Sequence, residues 1–277
     1  MTSTARTRTL GARLGRLRKA AGLTVYDAAE HLRCTSGKIS KIENGHVGVK
    51  HQELLALLDL YKVTGPARAR LVYLSEQRGD GYWWTPYSSL LSDDFSDYLY
   101  LEQAAMRLQK YEAQLIPGLL QTPGYATELM RQSHTPPDDD RIGTLVSVRM
   151  RRAELLREDA TRLDVIIDEA VLHRRPSSAE VWRDQLDHLM EAANWPAVTL
   201  RVIPFGSLHA GVDGPYTIIT FDTGDHVAYL ESAVGGMIVE DEVDIARCNE
   251  VWHRISSASL TTGETINFIR KMRDHAS

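Results

Sequence analysis

Leu10, Leu14 and Leu17 recur at i, i+4 and i+7, the spacing that lines side chains along one face of a helix, while Arg13, Arg16, Arg18 and Lys19 fall mostly elsewhere around the cylinder. Gly22 follows and suits a left-handed C-terminal cap. Thr24 then opens a second helix, and Asp27, three residues on, completes a capping-box-like pair. Val25, Ala28, Ala29 and Leu32 make that helix's buried face, and the two alanines permit close approach by a neighbour. Residues 33–35 form a short turn. Ser36 caps a third helix that turns Ile39 and Ile42 inward and leaves Ser36, Gly37, Lys38, Ser40, Lys41 and Asn44 facing largely outward, until Asn44-Gly45 ends it. A fourth helix over residues 50–61 carries Leu54, Leu55, Leu57, Leu58 and Leu60.

Behind Gly65-Pro66 the pattern predicts helices over 67–77 and 93–112, separated by the aromatic, turn-rich segment 79–87. Pro123 marks the start of a helix reaching residue 131, and Pro136-Pro137 introduces another that ends near residue 158 and is rich in arginine, with Arg149, Arg151, Arg152 and Arg157. The periodicity then shortens. Residues 163–167, 198–203, 216–221 and 227–230 are β-branched or aromatic runs between turn signals, as short strands require. Helices over 179–193, 242–257 and 262–273 complete the chain. The expected architecture is mainly α with a smaller α+β part. A helical head over 1–64 precedes a larger body over 65–277, itself helical over 65–160 and α+β over 161–277.

At 277 residues the chain has room for one small and one larger domain. No run of about eighteen apolar residues occurs, the first ten residues lack an apolar signal segment, and the two cysteines, Cys34 and Cys248, form neither a disulfide framework nor a cysteine-based zinc site. A cytoplasmic protein without a cofactor or membrane association is expected. The net charge of −5 conceals an asymmetry: residues 1–62 hold eleven Lys and Arg against five Asp and Glu, a local charge of +6, which leaves −11 on the remainder. A basic head on an acidic body is the footprint of phosphate binding by the head.

Two short helices joined by a tight turn can place the N-terminal side chains of the second in a DNA major groove, where lysine meets phosphate or guanine and serine or asparagine meets base edges. The run LRKAAGLTVYDAAEHLRCTSGKISKIENG resembles the XRE-type helix-turn-helix domain related to phage repressors, and KISKIENG is similar to that family's usual ending. The resemblance implies DNA-facing roles for Thr24, Tyr26, Ser36, Gly37, Lys38, Ser40, Lys41 and Asn44. It also implies that Glu43 pairs with a basic residue of the first helix. Tyr26 stands where the family often has Gln, and Arg33 where it often has Gly. Further along, YEAQLIPGLLQTPGYATELM, IIDEAVLHR, TLRVIPF and HAGVDGPYTIITF resemble the C-terminal domain of actinobacterial WhiJ-like regulators, often described as antitoxin-like and encoded near a small acidic partner protein.

No GxxxxGK[ST], GxSxG or HExxH motif and no spaced Cys/His set is present, so an enzyme is not expected. Asp168, Glu169 and His173 are either an acid–base cluster or turn residues, and His209 is either a ligand-binding imidazole or part of a plain loop. The aromatic group around Trp83, Trp84 and Tyr87 suits either a ligand pocket or an ordinary packing seam. Any pocket is expected between that group, the Ile116-Pro117-Gly118 turn and the His209 loop. The functional expectation is a homodimeric regulator that reads two half-sites of a near-palindromic double-stranded DNA operator, with a body that senses a small-molecule effector or a small protein partner. The alternative is an antitoxin-like sequestering module that uses DNA binding for autoregulation.

Overall fold

The computed structural model describes residues 5–65, 68, 71–72, 75, 82–133, 136–158, 161–206, 208–222, 224–232 and 235–275, with residues 5–9, 12 and 93 described by their backbone alone. The chain forms two compact units, Met1–Pro86 and Tyr87–Ser277. The division thus falls after Pro86, beyond the 64/65 boundary suggested by Gly65-Pro66. The expected helix over 67–77 lies for the most part outside the described residues, as does the start of the 79–87 segment.

In the first unit, α1 (Ala5–Ala20), α2 (Val25–His31), α3 (Ser36–Glu43) and α4 (His51–Leu60) enclose a core of Leu10, Leu14, Ala28, Ala29, Ile39, Ile42, Leu54, Leu57 and Leu58. The expected Thr24–Asp27 capping box is present in full. The expected cap at Ser36 is displaced by one residue: the Thr35 hydroxyl accepts from the Lys38 amide at 3.3 Å, and Ser36 is already helical. Adjacent hydroxyl residues compete for one capping position, and here the outer one takes it.

All four helices end in the same way. An amide two residues past the cap reaches back five residues, and the amide between reaches back three: Leu23 to Arg18 and Gly22 to Lys19, Cys34 to Ala29 and Arg33 to Glu30, His46 to Lys41 and Gly45 to Ile42, Val63 to Leu58 and Lys62 to Asp59. This is the Schellman arrangement, which needs a left-handed residue at the turn. Glycine fills it twice, at Gly22 and Gly45, but Arg33 (φ +49°) and Lys62 (φ +57°) fill it at the cost of a crowded Cβ.

The second unit is built on a six-stranded sheet ordered β3-β2-β1-β4-β5-β6, comprising β1 (Arg107–Glu112), β2 (Arg162–Asp168), β3 (Val198–Ile203), β4 (Tyr216–Thr220), β5 (His226–Ser232) and β6 (Gly235–Val239). β1, β2 and β3 run parallel, and β4, β5 and β6 continue antiparallel from β1. Parallel neighbours need crossovers. α6 (Pro123–Arg131) and α7 (Asp139–Glu158) lie between β1 and β2, and α8 (Glu169–His173) and α9 (Ala179–Ala192) between β2 and β3.

The expected helix over 93–112 is instead α5 (Asp93–Gln103) followed by β1, because RLQKYE pairs with both neighbouring strands and sends Leu108 and Tyr111 to opposite faces of the sheet. The expected separation of a helical part over 65–160 from an α+β part over 161–277 fails for the same reason: β1 lies inside the sheet. β6 is an addition to the expected strands. The fold is mainly helical with a mixed sheet, as expected.

Alternation along the strands makes two cores. Leu108, Leu163, Val165, Leu200 and Ile219 join Leu101, Leu119, Trp182, Leu186 and Ile269 on one face. On the other, Tyr111, Ile166, Ile203, Tyr216 and Ile218 pack with Trp252 and Ile255 of α10 (Glu242–Ala258). α11 (Thr262–Asp274) closes the first face through Ile269.

Arg33→Gly removes a left-handed Cβ at a position that keeps its backbone bonds, and it should stabilise the head by roughly 1 kcal/mol even after the looser unfolded chain is counted. Hydrogen exchange of the α2 amides, which reads the head by itself, should slow about fivefold. Faster exchange would refute the claim of strain at Arg33.

Candidate functional site

The second helix of the helix–turn–helix pair is α3, whose inner side is held very tightly. A Cβ on Gly11 would lie 2.1 Å from the Ile42 carbonyl oxygen, and one on Gly15 would lie 3.1 Å from Glu43 Oε2, so α1 meets the end of α3 almost backbone to backbone. Arg18 completes the junction. Its Nε and Nη2 donate to the two oxygens of Glu43 at 2.7 and 2.8 Å, and its Nη1 donates to the Leu23 carbonyl at 2.7 Å. The hydrogen bond to Glu43 raises the Arg18 pKa against the opposing effect of burial. This is the pairing implied for Glu43. Beside it the buried Tyr61 hydroxyl is pushed up to about 12, by burial first and by the Glu43 charge second.

The outer side carries the residues expected to face DNA. Tyr26 is 75% exposed, and Thr24, Gly37, Ser40, Lys41 and Asn44 are exposed while Ser36 and Lys38 are half-buried. Their polar groups are not equally available. The Thr24 hydroxyl donates to Asp27 Oδ2 at 2.7 Å, within its capping box. Asn44 Nδ2 donates to the Ser40 carbonyl at 2.9 Å and to its hydroxyl at 3.3 Å. Lys38 Nζ reaches Glu53 of α4 at 2.6 Å, and that hydrogen bond raises the lysine's pKa. Burial works to raise the Glu53 pKa, but the hydrogen bond and charge of Lys38 outweigh it and hold the carboxyl low. Among the described residues no carboxylate pairs with Lys41.

The second unit contains a cavity of about 450 Å³ over the face of β1 and β5, bounded by α5, α7 and the 114–121 segment. Gln185 of α9 anchors that segment: its Oε1 accepts from the Thr122 amide at 2.8 Å and its Nε2 donates to the Leu120 carbonyl at 2.7 Å. Gln121 Nε2 donates to the Ile116 carbonyl at 2.6 Å, leaving its Oε1 to accept from Arg149 Nη1 at 2.5 Å. Arg152, one turn further along α7, makes a two-pronged pair with Glu102 at 2.8 and 2.7 Å and stacks on Phe95 and Tyr98. Burial alone would lower the Arg152 pKa, but the Glu102 charge reverses this and holds it above the ordinary value.

Of the residues expected to form a pocket, Ile116 lines this cavity, whereas Trp83, Trp84, Tyr87, Pro117 and His209 are not among its lining residues. Trp84 is buried, stacked on Tyr82 at 4.8 Å and edge-on to Trp83 at 5.6 Å. His209 is occupied at both nitrogens: Nε2 meets Asp168 Oδ2 at 3.0 Å, and Nδ1 accepts from the Gly211 amide at 3.2 Å. Asp168 also caps α8 through the Ala170 amide at 2.7 Å, and Glu169 accepts from the Phe205 amide at 2.6 Å. The Asp168, Glu169 and His209 contacts therefore join loop to strand end.

Sequence reasoning missed Lys110, Glu112, Gln121 and Arg149. Two signals were available: the charges on alternate positions of RLQKYE, and arginines three apart on one helix.

A family of helix-turn-helix domains matches residues 9–71, the stretch that holds most of α1 and all of α2 to α4. A second, described as a domain of unknown function (DUF5753), matches residues 95–271, well over half of the chain. The chain belongs to the DUF5753 family. Neither the curated proteins nor the solved structures gave a match to it. In this DUF5753 protein the family region holds the whole sheet and the cavity, and the helix-turn-helix head supports a DNA-binding regulator. Among the described residues no helix is long and apolar enough to cross a membrane, and no group of His, Cys, Asp and Glu is placed to hold a metal ion.

Arg18→Met would leave the Glu43 carboxylate largely buried without its counter-charge, at a cost of roughly 2–3 kcal/mol. Exchange in α1 and α3 should accelerate strongly while that in α10 stays unchanged. Unchanged protection in α3 would show that the pair does not hold the helix in place.

Proposed function

We propose that this protein is a sequence-specific transcriptional regulator of XRE type. It acts by binding rather than by catalysis, and its DUF5753 body senses a small effector. The observation that carries the DNA-binding part is the exposed row Gly37, Ser40, Lys41 and Asn44 on a helix whose opposite side is locked, in a head of charge +6. Small and polar side chains there let the helix enter a major groove, and the surrounding bases supply the phosphate term. The cavity in the body favours a small-molecule effector over the antitoxin-like reading, which calls instead for an open apolar patch. A WhiJ-like relationship fits the same arrangement.

Lys41 and Lys38 differ in a measurable way. Each phosphate contact contributes about one unit to the slope of log affinity against log salt. On a duplex recovered with the tagged protein from its native cell, Lys41→Ala should flatten that slope by about one unit, as read by fluorescence anisotropy. Lys38→Ala, whose charge Glu53 already neutralises, should change it far less. A wild-type slope in Lys41→Ala would remove that residue from the interface.

Such heads gain affinity by occupying two half-sites about one helical turn apart. We therefore propose a homodimer on a near-palindromic operator. Light scattering should give a dimer mass at micromolar concentration, and a monomer mass both with and without the duplex would contradict it.

A further inference from the structure

Arg149 and Arg152 lie on one side of α7 and line the same cavity, yet their surroundings differ. Arg152 has a carboxylate partner and two aromatic rings. Arg149 has the neutral oxygen of Gln121, and among the described residues no carboxylate lies within ion-pair distance of it. Burial drives the Arg149 pKa down to about 10, and the charge of Arg152 adds to the effect. The guanidinium is half-buried in the cavity wall, and its side-chain hydrogen bond among the described residues is the one to that amide oxygen, so its remaining N–H groups face the cavity without a bound carboxylate.

The carboxylates of the cavity act on Arg149 only at a distance: the charges of Glu231 and Glu112 work to raise its pKa against burial, but neither forms an ion pair with it. Lys110 and Glu112 pair with each other at 3.0 Å. Glu231 stands at the exposed end of β5. The same lining also carries apolar side chains, among them Phe95, Ile116 and Leu119. A volume of about 450 Å³ falls in the range of small organic ligands.

We propose that this cavity binds a small organic acid with an aromatic or branched apolar body, its carboxylate or phosphate oxygens held by Arg149. The biological meaning of the site rests on the sensing role proposed above, whereas the binding itself does not. Gln121 acts as a positioning residue: tethered to Ile116, it fixes the guanidinium from one side and leaves its remaining N–H groups for a two-pronged oxyanion contact.

Calorimetric titration of the full chain with benzoate, phenyl phosphate and neutral benzamide tests the site. One of the two anions should bind at least about tenfold more tightly than benzamide, the benzoate and phosphate arms separating the two oxyanions. Arg149→Gln should abolish that preference while leaving the melting temperature close to that of the wild type, since it removes one amide contact and no ion pair. Gly118→Val provides a check that keeps the arginine. A Cβ at this position meets Arg152 Nη1 and Arg149 Nε at ordinary contact distances of 3.7 and 3.8 Å, so the added methyl groups fill the cavity, and anion binding should again fall. Equal binding of benzoate, phenyl phosphate and benzamide, anion binding that survives Arg149→Gln, or no binding of any probe at high millimolar concentration would overturn the proposal.

Anisotropy on the recovered duplex separates the two claims. An anion-induced change in DNA affinity that disappears in Arg149→Gln supports both. Arg149-dependent anion binding with DNA affinity unaltered supports the site and refutes the sensing role.

Discussion

A helix can offer one face to a duplex only if the opposite face is held firmly enough to resist the pull of the contacts it makes. Here the holding is done by the junction of α1 with the end of α3. Gly11 and Gly15 remove the side chains that would keep the two backbones apart, and Arg18 then spans the gap to both oxygens of Glu43 while binding the Leu23 carbonyl that begins the next turn. One guanidinium thus connects α1, the α1–α2 turn and the C-terminal end of α3. Glu43 is neutralised from the inside, which keeps a negative charge off the surface that Lys41 presents.

The same division between satisfied and unsatisfied charge organises the body. Arg107 and Arg162 share Asp164, Lys110 has Glu112, and Arg152 has Glu102. Arg201 donates to three carbonyls around the end of α10, those of Leu260, Ser256 and Ser259. Against this background Arg149 stands apart, with an amide oxygen as its contact in a cavity wall. Buried cations that serve only the fold are expected to find carboxylates or several carbonyls. Arg149 is half-buried and does neither, which is what leaves its donors available for the acid proposed above.

What was legible in the sequence was local. The Thr24–Asp27 capping box, the left-handed cap at Gly22, the helix end at Asn44-Gly45 and the inward pair Ile39 and Ile42 depend on neighbours within a turn or two, and all are where the pattern put them. The misplacements arise where two local solutions are nearly equal. Thr35 and Ser36 offer the same capping chemistry one residue apart. RLQKYE follows an apolar helix without a glycine or proline to stop it, so only its pairing with β2 and β4 shows it to be a strand. The cavity was out of reach for a different reason. Gln121 meets Arg149 across 28 positions and Glu102 meets Arg152 across 50, so which arginine keeps a carboxylate is decided by packing alone. His209 illustrates the converse: its residue type suggested a ligand, and tertiary contacts occupy both of its nitrogens.

The energetics set what such a cavity has to do to regulate a DNA-binding head. An effector shifts DNA affinity only by the difference between its affinities for the bound and free states of the protein, and the coupling is reciprocal. A tenfold change requires about 1.4 kcal/mol. A hydrogen bond to a charged group is worth roughly 1.5–3 kcal/mol, so one contact at Arg149, made in one state and lengthened in the other, is sufficient. No large rearrangement of the sheet is required. Gln121 already holds the guanidinium through a segment tied to α9 by Gln185, so a small displacement of that segment against α7 would change the oxyanion contact directly. Under the proposal above, Arg149 is the group through which an acid would report its presence to the head.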